Sequence, residues 1–183
     1  MVERVTLQQF QDELARKLAE SAHRPLAATW LGVSWQGVRA LLPLTQAGEI
    51  SNPTALQRMP HTKDWVLGVA SVRGVLTVLV DWVRLLGLIP PATPTQGGEL
   101  AYWVSLNEAM GVGAALCVDQ LLGLHGSEQW QVAATNAPLH PGIRQVWRDA
   151  QGDPWYELDL KTIVESAEFQ DPSSSVFVAS DKA

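Results

Sequence analysis

Behind Thr6, apolar residues Leu7, Phe10, Leu14 and Leu18 recur every three or four positions, and Gln9 stands three residues after the threonine. A hydroxyl cap answered by a glutamine satisfies exposed backbone amides, and the spacing gathers the apolar side chains on one stripe. Residues 1–24 are therefore expected to form an amphipathic helix, which Pro25 stops. From residue 28 the period changes. Residues 29–35 and 38–44 read as strands around Gln36-Gly37, with Val38, Ala40, Leu42 and Leu44 alternating against Arg39, Leu41 and Pro43. Pro43 has no N–H for a ladder, so the second strand should lie at an edge or end there. Residues 65–72 and 75–80, rich in valine around Arg73-Gly74, form a second and clearer hairpin. Asp81 then caps a short helix through Leu86, and Gly87 stops it.

Residues 52–64, with Pro53 and Pro60, read as a long connection holding at most one helical turn, and the proline- and glycine-bearing stretch 90–98 as a linker. Residues 100–106 and 112–124 form a third strand pair around a turn at 107–111, the second run being long enough to bend or cross between sheets. Residues 143–148 and 155–158 form a fourth around 150–153. A last helix over 159–169 presents Leu160, Ile163 and Val164 on one face, and residues 171–183 read as a flexible tail. Short strands between glycine-bearing turns, with helices only at the ends and at one joint, predict a mainly β chain built of small barrels rather than a parallel α/β sheet.

Composition narrows the function. Hydrophobic residues make up 46% of the 183 positions and charged residues 17%, which excludes a disordered chain and leaves apolar surface for a partner. Thirteen basic against nineteen acidic residues give a net charge of −6, with no basic block to track a phosphate backbone, so nucleic acid is excluded as the expected partner. The single Cys117 cannot form an internal disulfide and sits in the apolar run 114–118, where a thiol behaves as a small hydrophobe in a reducing compartment. The most apolar stretch, 66–89, is interrupted by Arg73, Asp81 and Arg84, short of the roughly 20 uninterrupted residues a bilayer span needs. The start carries Glu3 rather than a basic and apolar leader, so a cytoplasmic chain is expected.

Candidate chemistry is sparse. His23, His61, His125 and His140 are far apart, with no pair at helical metal spacing and no second cysteine. Neither a phosphate-binding loop nor a nucleophile elbow occurs, and Gly111-Val112-Gly113 starts a dinucleotide fingerprint that Leu116 fails to complete. Asp153, Glu157 and Asp159 gather near a turn, either as a proton or cation site or as a solvated strand rim. Eight tryptophans, Trp30, Trp35, Trp65, Trp82, Trp103, Trp130, Trp147 and Trp155, spread over nearly every strand pair, as core fillers or as interface anchors. The residues by themselves leave two classes open: an interaction module, and a ligand-binding or catalytic small barrel.

A run of motifs resembles the CheW family of chemotaxis coupling proteins. They are Leu42-Pro43-Leu44 through Gly48-Glu49-Ile50, Gly68 through Asp81 across the Arg73-Gly74 turn, Ala115-Leu116-Cys117-Val118-Asp119, and Leu158-Asp159-Leu160, in the family's order over 29–164. Ser71 stands where the family has asparagine and Thr77 where it has proline. With the extra amino-terminal helix and the tryptophan content, these departures resemble the branch that serves type IV pilus twitching. The resemblance implies two SH3-like β-barrel subdomains sharing a core over residues 28–170, with a groove between the barrels and no catalytic activity, cofactor or metal. It also implies a cytoplasmic adaptor at membrane-associated receptor arrays. Its partners would be the cytoplasmic tip of a methyl-accepting chemoreceptor and the regulatory domain of a CheA-type histidine kinase. The implied partner-binding residues are Glu49, Ile50, Gly68, Val72, Arg73 and Gly74, with Arg73 and Glu49 paired. Asp81 and Asp119 are structural or partner-binding, a helix cap and a polar strand end being sufficient explanations. A module cut from a larger protein is a further possibility, against which the chain has no room for a receiver or kinase domain.

Overall fold

The computed structural model describes residues 29–88, 102–134 and 138–173. The helix expected over 1–24, the linker at 90–98 and the tail beyond 173 lie outside them. In chain order the strands are β1 (Trp30–Trp35), β2 (Val38–Pro43), β3 (Ala47–Ser51), β4 (Val66–Val72), β5 (Val75–Val80), β6 (Tyr102–Leu106), β7 (Ala114–Val118), β8 (Gln120–His125), β9 (Gln131–Val132), β10 (Ile143–Arg148) and β11 (Pro154–Leu158). The helices are α1 (Trp82–Leu85), α2 (Leu160–Glu165) and α3 (Ala167–Gln170).

Both hairpins read from the sequence are present, and both turns take the same form. Gln36 and Gly37 have φ of 51° and 79°, Arg73 and Gly74 of 49° and 81°. This doubly left-handed turn matches the right-handed twist of its strands, and glycine supplies its second position without steric cost. Pro43 ends β2 rather than marking an edge, because β2 is interior, antiparallel to β1 and parallel to β11.

Two sheets result, one ordered β8-β1-β2-β11-β10-β9 and the other β3-β6-β7-β5-β4. The long run after the third turn does cross between them: β7 belongs to the five-stranded sheet and β8 to the six-stranded one, with Asp119 at the step. One core joins the sheets, with Leu31, Val33 and Trp35 packed in the same cluster as Trp65, Trp82, Trp103 and Leu116. A second cluster of Trp30, Leu41 and Trp155 takes Leu122, Trp130 and Trp147 against it. β1 contributes to both, which is why all six of its residues are buried. The chain is thus mainly β, with two sheets sharing a core.

Six of the eight tryptophans are buried in the two clusters, and Trp130 and Trp147 pack half-buried against the second. None of the eight belongs to the exposed large hydrophobics, and Trp35, Trp65, Trp82 and Trp103 are each below 2% or at 2% exposure. Burying an indole contributes roughly 4–6 kcal/mol by area. Trp82 donates its indole N–H to the Cys117 carbonyl at 3.1 Å, whereas those of Trp35, Trp65 and Trp103 have no partner, which offsets about 1–3 kcal/mol at each.

The connection 52–64 contains no helix, in keeping with the single turn at most expected of it, and Gln57 pairs with Val69 through two backbone bonds of 2.8 Å and covers the β4 edge of its sheet. The C-terminal expectations need correction. The final helix is broken at Ser166, whose extended backbone ends α2 and starts α3, its hydroxyl accepting from the Phe169 amide. Beyond it, Phe169 stacks on Trp65 at 5.7 Å and the Lys63 amide donates to the Pro172 carbonyl, so residues 171–173 are tied to the body.

Candidate interaction surface

β3 and β4 are the two edges of the five-stranded sheet, and an ion pair ties them: Arg73 at the β4–β5 turn lies 2.6 Å from Glu49 on β3. The side chains are 77% and 37% exposed, so the pair contributes about 0–1 kcal/mol and acts as a surface latch. Beside it opens a cleft of about 570 Å³. Val72, Val75, Val112 and Ala114 give it apolar walls, and Thr77, buried where the related pattern carries proline, lines it as well. The cleft lies within one sheet and its turns.

The neutral polar groups of the cleft are satisfied internally. Ser105 Oγ accepts from the Glu49 amide at 2.8 Å and donates to the Glu49 carbonyl at 3.1 Å. Thr77 donates to the Val75 carbonyl at 3.2 Å. Asn107 caps the short 3-10 turn Glu108–Met110 through the Ala109 amide and donates to the Thr45 carbonyl. At and beside the cleft, the surface carries apolar side chains that no described neighbour covers: Val75 is 60% and Leu76 71% exposed, with Ile50 at 41%.

Of the residues singled out from sequence, Glu49, Val72 and Arg73 line the cleft, and Ile50 and Gly74 lie exposed beside them. Gly68 is different. It is buried with φ of 145°, and a Cβ there would stand 2.4 Å from the Gln57 carbonyl oxygen, so it allows residues 56–57 to close on β4.

Asp81 and Asp119 meet elsewhere, on Gln36. The Gln36 side chain donates to Asp81 at 2.7 Å and its amide to Asp119 at 3.0 Å, while Ser34 also donates to Asp119. Asp81, fully buried, caps α1 through the Arg84 amide and pairs with the Arg84 guanidinium at 3.2 Å. Together the two aspartates pin the β1–β2 turn to the other sheet. Cys117 lies nearby in the core; burial pushes its thiol pKa up, and the Asp81 charge adds to this, which disfavours the nucleophilic thiolate.

The acidic group near the last turn separates into three roles. Asp153 pairs with Arg39 at 2.7 Å, and Asp159 caps α2 through the Thr162 amide. Glu157 is buried rather than on a solvated rim, and accepts from the Trp147 indole at 2.8 Å. Asp149, which sequence reasoning missed, accepts the Trp155 indole N–H at 3.0 Å and faces Arg39 at 3.3 Å. That hydrogen bond holds its carboxyl below the usual carboxylate range against the opposing effect of burial. Among the described residues no group of three metal-ligating side chains converges, and no helix is long and apolar enough to cross a membrane.

Sequence reasoning also missed Val75, Leu76 and Glu108. Val75-Leu76 reads like the buried Leu79-Val80 on the same strand, and only the sheet's closure exposes one pair and buries the other.

The chain is thus a β module of two sheets with a shared core, a latched sheet edge and an exposed aliphatic hairpin tip. The CheW-like domain model matches residues 29–168, and the chain belongs to that family. It is 27% identical over 168 residues to Protein PilI of Pseudomonas aeruginosa, covering 87% of this chain and 90% of that one. The crystal structure of the scaffolding protein CheW from Thermoanaerobacter tengcongensis shares the fold, with a TM-score of 0.56 at 12% identity over 76% of this chain and 93% of that one.

Proposed function

We propose that this chain is a non-enzymatic adaptor, with residues 28–170 as its coupling unit. It joins the cytoplasmic tip of a methyl-accepting chemoreceptor to the regulatory domain of a CheA-type histidine kinase, at receptor arrays on the cytoplasmic side of the membrane. Similarity to PilI over nearly the full length of both chains favours the branch that controls type IV pilus twitching. The observation that carries the reading is the uncovered aliphatic tip, Val75 and Leu76, set beside a latched cleft whose neutral polar groups are already bonded to one another. Such a surface gains by excluding water against a partner and leaves no activated group to attack a substrate.

Reversible, roughly micromolar contacts suffice for this role. Titration calorimetry of the chain against the receptor tip and the kinase regulatory domain tests it. Saturable binding to both is expected, weakened at least tenfold for one of them by Leu76→Asp. Binding to neither would overturn the adaptor reading.

A further inference from the structure

The adaptor reading leaves open what chemistry a docking segment must bring to the cleft, and the charges on its rim address this. Three ionic groups line it: Glu49, Arg73 and Glu108. Arg73 and Glu49 neutralise each other at 2.6 Å. Glu108 is exposed, stands in the 3-10 turn that Asn107 caps, and has no ion-pair partner among the described residues. Ser105, Thr77 and Asn107 are engaged with the backbone, so the rim offers a partner one unanswered negative charge above apolar walls.

Resting on the proposal of an adaptor, we infer that this cleft selects a polypeptide segment carrying a lysine or arginine among aliphatic residues, with Glu108 as the specificity-determining residue. An acidic segment approaching Arg73 would meet Glu49 and Glu108 together, and a neutral polar one would gain less, because Ser105, Thr77 and Asn107 already bond the backbone. A basic side chain answers Glu108 while its neighbours cover Val75 and Val112. Glu108 lies on an exposed turn and makes no buried contact, so its exchange leaves the fold intact.

The test uses the whole chain, isotope-labelled, and two short peptides that differ only in lysine or glutamate between aliphatic residues. Amide shifts are followed by NMR. The lysine peptide should shift Val75, Glu108, Gly111 and Val112 and bind about three- to tenfold tighter than the glutamate peptide, with added salt narrowing the gap. Glu108→Lys should reverse the preference. Equal binding of both peptides, no binding of either, or a preference that Glu108→Lys leaves unchanged would overturn the inference. Because the peptides replace the receptor and kinase fragments, this result is independent of whether the chain couples those two proteins.

Discussion

Asp81 is the residue whose replacement should damage the protein most for the smallest change in shape. Its carboxylate is fully buried and lies 3.2 Å from the guanidinium of Arg84, itself only 6% exposed. It also receives the Gln36 side chain at 2.7 Å and the Arg84 amide at 3.1 Å. Asp81→Asn keeps volume and cap but removes the buried charge closest to Arg84 among the described residues, the half-exposed Asp64 lying farther off at 3.6 Å. Removing one partner of a buried pair costs about 3–5 kcal/mol. Asp81→Ala also removes the cap, worth about 1 kcal/mol, with less than additive effect because both act through Arg84. Urea unfolding should therefore show a loss of about 3–5 kcal/mol for Asp81→Asn at unchanged m value, and a midpoint temperature lower by about 6–20 °C. A loss below about 1 kcal/mol, the value of an exposed pair, would refute the assignment of Asp81 and Arg84 as the buried clamp on the β1–β2 turn.

Three further outcomes are expected. In a double-mutant cycle, Arg73→Ala and Glu49→Ala should couple by only about 0–1 kcal/mol in stability, since the latch is exposed; a coupling above about 2 kcal/mol would show a buried pair. Gly68→Ala should destabilise by on the order of 1–3 kcal/mol through its left-handed φ and the approach to Gln57; an unchanged urea midpoint would show that residues 56–57 do not press on β4. Asp149 has a lowered pKa when folded, so its contribution is complete above its unfolded value of about 3.9 and is lost as pH falls through the lower folded value. Wild-type stability should thus fall more steeply than that of Asp149→Asn below about pH 4, and parallel curves in acid urea titrations would count against the Trp155 hydrogen bond.

The legible parts of the chain were those that local chemistry decides. Arg73-Gly74 and Gln36-Gly37 demand left-handed turns, and Asp81 and Asp159 announce helix starts by position alone. That the run 112–124 bends or crosses between sheets could be read because its thirteen strand-like residues exceed the usual length of one strand; the step at Asp119 shows only in the fold. Non-local contacts were not legible. The parallel pairings of β2 with β11 and β5 with β7 join residues far apart in sequence, and they decide that Pro43 ends an interior strand and that Glu157 is buried. The same applies to the surface: Arg73 and Glu49 were paired through family resemblance, whereas Leu76 and Glu108 carry no local mark of exposure.

The most direct test of coupling is sedimentation velocity of an equimolar mixture of this chain, the receptor tip and the kinase regulatory domain. Simultaneous engagement predicts a single boundary containing all three, which Leu76→Asp reduces to a binary complex. Mutually exclusive binding, or co-sedimentation of the receptor tip with the kinase domain that is unchanged when this chain is omitted, would contradict it.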